Sequence, residues 1–244
     1  MTRTIFYMFM LGSLLLPTVA VLQEHPGYES RAASRDGIGK YYLDREISHV
    51  MGHLGASWLE RSGRESEERT DLLIDMLLAT VANKASVVAD IGAGTGYFSL
   101  PIAQRLASRK VASGQVLAVD IQPEMLAIIE RRKTDLEVNN VETILGTITD
   151  PGLPAGTLDL IFIVDAYHEF SHPYEMGLAM QQALKPDGVL VLIEYRAEDL
   201  SVPIKPLHKM SQQQTIKEMA AIGLVWRETL SALPQQHFMV FAKL

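Results

Sequence analysis

The chain of 244 residues predicts an α/β fold, a doubly wound and mostly parallel sheet that carries an antiparallel C-terminal hairpin. Three observations predict it. From Val87 onward, short β-branched runs alternate with amphipathic stretches. Those runs are almost continuously apolar, as strands buried on both faces must be. The last two runs are joined by only a few residues around Pro234, too few for a crossover, so they must pair antiparallel.

Element by element, VVADI (87–91), QVLAVD (115–120), VETILG (141–146), LDLIFIV (158–164) and GVLVLIEY (188–195) read as strands. Amphipathic stretches at about 97–109, 123–137 and 173–184 read as the helices between them. An irregular piece, 196–210, precedes a helix over about 211–222, and the hairpin strands are 224–230 and 237–244. Upstream, Leu72, Leu73, Met76 and Leu77 predict a helix over about 65–82. Ile47, Val50, Met51 and Leu54 recur at helical spacing and predict another over about 44–54, inside a cap segment spanning residues 21–64.

Residues 1–20 do not read as fold. Arg3 is followed by an apolar core, IFYMFMLGSLLL, then Pro17 and the small residues leading to Ala20. A positive start, a short apolar core and a small-residue exit predict a signal peptide, and hence an exported or periplasmic protein. An uncleaved membrane anchor is the alternative, and membrane contact is expected through this segment alone. The domain proper is expected to span 65–244.

Composition narrows the chemistry. The 48% hydrophobic content is that of a globular chain. With no Cys there is no disulfide framework, thiolate zinc site, Fe–S cluster or cysteine nucleophile. A formal net charge of −7 disfavours a nucleic-acid partner.

The first predicted parallel strand runs into Asp90-Ile91-Gly92-Ala93-Gly94-Thr95-Gly96. Ligands of open α/β sheets bind where such strands end, and glycine lets the backbone approach a ligand closely. The spacing D-x-G-x-G-x-G differs from the dinucleotide form G-x-G-x-x-G. It suits a ligand without phosphates, with Asp90 as the acid for an ammonium group. Asp120 ends the next strand, where a carboxylate can accept two hydrogen bonds from a ribose diol. Because Pro123 suits a first helical turn, Asp120 is expected to stay free of capping.

These motifs, with VDIQPEML (119–126), GTITDPGLPAGTLDLIFIVDAYHEF (146–170) and LKPDGVLVLIEY (184–195), resemble the class I S-adenosylmethionine (SAM)-dependent methyltransferases. The type 11 branch, which includes quinone-biosynthesis enzymes, is the most similar. The resemblance implies a seven-stranded, Rossmann-like methyltransferase sheet with SAM as cofactor at the carboxyl ends of the first four strands. It places the methionine part on Gly92, Gly94 and Gly96, with Asp90, and the ribose on Asp120 beside Ile121. Thr147 and Ile148 flank adenine, and Asp165 closes the fourth strand at the cofactor. Thr147 stands where the family often has an acidic residue.

The reaction implied is SN2 transfer of a methyl group to a small-molecule acceptor, with His168 and Tyr167 as the catalytic candidates: His168 as proton acceptor, Tyr167 lining the sulfonium pocket or hydrogen-bonding the acceptor. Two alternatives remain. One is a SAM- or nucleoside-binding protein without turnover. The other is a zinc hydrolase, because His168-Glu169-Phe170-Ser171-His172 spells H-E-x-x-H. That motif needs one continuous helix, and Pro173 directly after His172 opposes it. His49 and His53, four apart on the predicted helix, are candidates for a metal pair or for the acceptor pocket, and Arg196 is a further acceptor-side candidate. No metal ligand set is assigned.

Overall fold

The computed structural model describes residues 27–81, 86–108 and 114–244. The expected signal segment lies outside the described residues. Among the latter, no helix is long and apolar enough to cross a membrane.

Seven strands form the main sheet: β4 (Val87–Ile91), β5 (Gln115–Asp120), β6 (Val141–Leu145), β7 (Leu158–Val164), β8 (Leu184–Tyr195), β9 (Leu224–Leu230) and β10 (Gln236–Lys243). Their order is β6-β5-β4-β7-β8-β10-β9. The pairs from β6 to β8 are parallel, and β10 runs antiparallel to both β8 and β9. The fold predicted from sequence is the fold observed.

Alternate residues of each strand serve opposite faces. Val88, Val116 and Phe162 enter one core with Leu73 and Ile102, from helices α3 (Thr70–Thr80) and α4 (Ser99–Ala107). Ala89, Leu117 and Ile161 enter the other with Met180 and Met219, from α6 (Pro173–Ala183) and α7 (Gln212–Ala221). Helix α5 (Pro123–Asp135) follows β5. Since β5 and β7 flank β4, the crevice where the winding reverses opens at the carboxyl end of β4.

The cap differs from expectation. Residues predicted as a helix over 44–54 instead begin with the second strand of a hairpin. Strands β1 (Tyr28–Ser30), β2 (Gly37–Tyr42) and β3 (Arg45–Ser48) form a separate antiparallel sheet. Leu43 and Asp44, with φ of 47° and 76°, make the two-residue turn between β2 and β3. The helical spacing was no face: Ile47 is fully buried, while Leu54 is 90% exposed. A short helix, α1 (Ala56–Leu59), follows.

The predicted helix 65–82 is two helices, α2 (Arg64–Glu68) and α3, broken at Arg69 with φ 55°. The break frees α2 to turn Arg64 and Glu68 inward, where both are buried. There Glu68 accepts hydrogen bonds from Arg61, Arg64 and the Tyr195 hydroxyl.

Candidate functional site

A cavity of about 590 Å³ occupies the crevice at the carboxyl ends of β4, β5 and β7. That size is in the range of small-molecule and cofactor sites. One end of it is backbone. Gly92 and Gly94 line it with φ of 76° and 54°, a conformation that favours glycine. A Cβ on Gly92 would stand 2.8 Å from the Ala166 Cβ, and one on Gly94 2.7 Å from a Leu59 methyl. Gly96, also at positive φ, lies behind the wall; there it lets Ile129 and Leu100 pack close.

Asp120 lines the same end and is 7% exposed. Its Oδ2 accepts the Gly94 N–H at 2.9 Å, and its Oδ1 accepts the Gln122 N–H at 2.9 Å. The expectation that Asp120 would be left free is thus corrected: it ties the glycine loop to the start of α5. Each oxygen retains a further lone pair for a ligand. Burial raises its pKa above the ordinary carboxylate value, against the hydrogen bonds from Gln122 and Gly94.

Ile121, Thr147, Ile148 and Asp165, assigned to the cofactor in the sequence analysis, all line the cavity. Ile121 and Ile148 are 38% and 50% exposed and present apolar surface to the cavity. Thr147 is turned into its own loop, where its hydroxyl accepts the Asp150 N–H. Asp165 has φ 49°, and its Oδ1 is buried without a hydrogen-bond partner. Burial, then the charges of Glu68 and Glu194, push its pKa well up.

Besides Gly96, two more predicted site residues are elsewhere. Asp90 does not reach the cavity. It lies behind the glycine loop, 3% exposed, and accepts the Ser99 hydroxyl at 2.5 Å, which locks the first turn of α4. Burial raises its pKa to about 7. Tyr167 also faces away: its ring is buried under the Arg45 guanidinium and beside Phe170, outside the cavity wall. Burial and Glu218 hold its hydroxyl protonated, with a pKa well above the usual value.

His168 does face the cavity. It stands on a single 3-10 turn, Tyr167–Glu169, after β7. Its Nδ1 is 2.6 Å from Glu194 Oε2, and its Nε2 is 3.1 Å from His208 Nδ1. The other Glu194 oxygen accepts the N–H groups of Tyr167 and His168, so the dyad is held by backbone. Glu169 completes the group, with Oε1 3.8 Å from His168 Nε2 and 3.7 Å from His208 Nδ1.

The H-E-x-x-H segment is therefore no zinc-hydrolase helix. His172 precedes α6 with φ −134° and ψ 63°, and its ring bonds Ser171. His208, in contrast, was not anticipated. It lies in the irregular 196–210 piece, which returns beside β8 through the Met210 N–H to Tyr195 O bond. Two prolines, 203 and 206, shortly before an isolated histidine were the only signal. Arg196 is spent on the carbonyls of Leu233, Pro234 and Gln236 and does not face the cavity.

The cap borders the cavity. Arg45 makes a two-pronged ion pair with buried Glu218, at 2.7 and 2.9 Å, and also donates to His168 O. Gln122 clamps the passing strap by donating to Met51 O and accepting the His53 N–H, while Glu169 Oε2 accepts the Met51 N–H. His49 lines the cavity; His53 is turned toward Glu124 on α5. They share no helix.

Residues 82–237 match a family model described as a methyltransferase domain. A SAM-dependent methyltransferase from Aquifex aeolicus superposes with a TM-score of 0.69 at 19% identity, over 79% of this chain and 98% of that one. Magnesium protoporphyrin IX methyltransferase from Synechocystis PCC 6803, solved with bound SAM, gives 0.55 at 16% identity, over 78% and 84%. In sequence, the non-reducing polyketide synthase mapC of Penicillium brevicompactum is 23% identical over 162 residues, 65% of this chain but 6% of that protein. The demethylmenaquinone methyltransferase of Oceanobacillus iheyensis is 25% identical over 105 residues, 43% of this chain and 42% of that protein.

Proposed function

The chain belongs to the methyltransferase-domain family, and from that premise we propose that it moves the methyl group of SAM to a small-molecule acceptor held under the cap. One observation carries the proposal: a single cavity joins the bare backbone of Gly92 and Gly94 and the Asp120 carboxylate to the His168 imidazole.

The residues fit the cofactor. The backbone of Gly92 and Gly94, at positive φ, favours glycine over any residue with a Cβ, and Asp165 offers an unpartnered buried oxygen at the same wall. Asp120 can accept a ribose diol while still holding the loop. Ile121 and Ile148 supply exposed apolar surface for a flat ring, in place of the acidic residue the family often carries. SAM supplies a methyl group already activated on a sulfonium.

What remains for the protein is alignment and the exclusion of water. The strap at 49–53 and the cap sheet perform the second task. Met51, Phe170, Met176 and Ile204 make the acceptor side apolar, which supports a small apolar or aromatic acceptor rather than a nucleic acid. His168 Nε2 is placed to take the acceptor's proton, with Glu194 fixing the ring through Nδ1. Calorimetric titration with SAM tests the cofactor, and release of labelled methyl into products across hydroxyl, amine and carbon acceptors tests turnover. Saturable binding with no transfer to any class would leave a sensor rather than an enzyme.

Export through residues 1–20 belongs to the same proposal. An alkaline phosphatase fusion at residue 30 is expected to be active; an inactive fusion would retain the domain on the cytoplasmic side.

A further inference from the structure

We propose that His168, Glu169 and His208 form a binding site for a divalent transition-metal ion, zinc above all, at the acceptor end of the cavity. Three ligand atoms converge there: His168 Nε2, His208 Nδ1 and Glu169 Oε1, separated by 3.1, 3.8 and 3.7 Å. A point equidistant from all three lies about 2.1 Å from each, the length of zinc bonds to imidazole and carboxylate. Two histidines and one glutamate with remaining positions open is the donor set of a catalytic rather than a structural zinc site.

The surroundings are built for a ligand. His168 Nδ1 meets Glu194 Oε2 at 2.6 Å, and Glu194 is 1% exposed. Both of its oxygens are engaged, since Oε1 accepts the amides of Tyr167 and His168. Glu194 therefore keeps the proton of His168 on Nδ1 and turns the Nε2 lone pair toward His208 and Glu169. A carboxylate behind a ligating imidazole is the usual outer support of a metal-binding histidine. Glu169 is oriented in the same manner, because its Oε2 accepts the Met51 N–H. All three ligands line the cavity, so the open positions face the acceptor.

This site differs from the H-E-x-x-H pattern, since His208 from a distant loop replaces His172. It also selects an acceptor class, a step that rests on the methyltransferase reading whereas metal binding does not. With the ion bound, His168 Nε2 is a ligand and no longer the base. An acceptor hydroxyl transfers its proton to hydroxide on the ion, which departs as water. The acceptor oxygen then forms the C–O bond with its electron pair as the C–S bond breaks, leaving a neutral thioether. The substrate class is a phenol or alcohol.

Titration of the chelator-treated full chain with Zn²⁺, read by calorimetry and by metal analysis after gel filtration, tests the site. One equivalent is expected, weakened at least 100-fold by His208→Ala and by Glu169→Gln, and about 10- to 100-fold by the supporting change Glu194→Gln. Co²⁺ is expected to give a visible spectrum that Zn²⁺ abolishes. SAM titration of the same variants, with thermal melting, separates a lost metal site from a lost fold or a failed methyltransferase reading. Absence of stoichiometric zinc in the folded wild type, or zinc bound equally by His208→Ala and Glu169→Gln, would overturn the proposal.

Discussion

Asp120→Ala tests the cofactor end of the site most directly. In the free protein it leaves the amides of Gly94 and Gln122 without their carboxylate. A buried donor stripped of its partner costs about 1–3 kcal/mol. The Gly94 amide is enclosed, so a stability loss of about that size is expected from it alone. In the complex, two hydrogen bonds from ribose hydroxyls to an ionised acceptor disappear, at about 1.5–3 kcal/mol each. Even the lower sum raises the Kd for SAM about 100-fold. Calorimetry gives the Kd, and urea unfolding gives the stability.

The Asp120→Asn variant separates the two roles. One amide oxygen can still serve a backbone N–H, but the other position becomes a donor facing a donor. Its affinity should fall between wild type and Ala. Because burial raises the Asp120 pKa, wild-type affinity should weaken on acidification earlier than an exposed aspartate would dictate, and the Ala variant should lose that dependence. A folded Asp120→Ala protein that binds SAM within about threefold of wild type would refute the placement of ribose on this carboxylate.

Asp90 has its folded pKa raised to about 7 from 3.8, so the folded state holds the proton more tightly than the unfolded chain. Its contribution is favourable below the unfolded value, declines as pH rises toward 7, and costs up to about 4 kcal/mol above that. Asp90→Asn should therefore gain stability over wild type progressively from pH 4 to 7, measured by urea unfolding at several pH values; a constant difference would contradict this. Tyr167→Phe should leave turnover within about threefold while costing about 1 kcal/mol of stability, because the hydroxyl faces Glu218 and not the cavity. Arg45→Ala strands the buried Glu218 carboxylate and should cost about 3–5 kcal/mol in thermal or chemical unfolding. Gly92→Ala, with its Cβ 2.8 Å from that of Ala166 and φ at 76°, should lower both stability and SAM affinity, measured by melting and calorimetry.

What could be read from the sequence was whatever repeats along the chain. Strands β4, β5 and β7 fall where the apolar runs do, because a strand buried on both faces has no competing periodicity. The cavity end built from Gly92, Gly94 and Asp120 was equally legible, since those residues lie at strand ends that the alternation had already located. Asp90 shows the limit of such reasoning. It shares the motif, yet an aspartate on the strand itself, two residues before the first loop glycine, points sideways into the packing of α4, and Ser99 claims it. Motif membership places a residue near a ligand without settling which way its side chain leaves the strand.

The acceptor end was illegible for a different reason. His168 and Glu169 are adjacent in sequence, but Glu194 and His208 reach them across 26 and 40 residues. No local pattern encodes that distance. The cap failed similarly: Ile47 and Leu54 share helical spacing, yet Leu43 and Asp44 accept left-handed backbone and turn the segment into a hairpin. That hairpin then reaches the site through Arg45, whose guanidinium bonds both Glu218 and the carbonyl of His168. The segment that looked least regular thus positions the residue on which the proposed chemistry depends. Loosening the Arg45–Glu218 pair should therefore disturb His168 before it disturbs the Asp120 end, and an Arg45→Lys protein, which keeps the charge but loses the fork, should lose turnover while retaining SAM affinity.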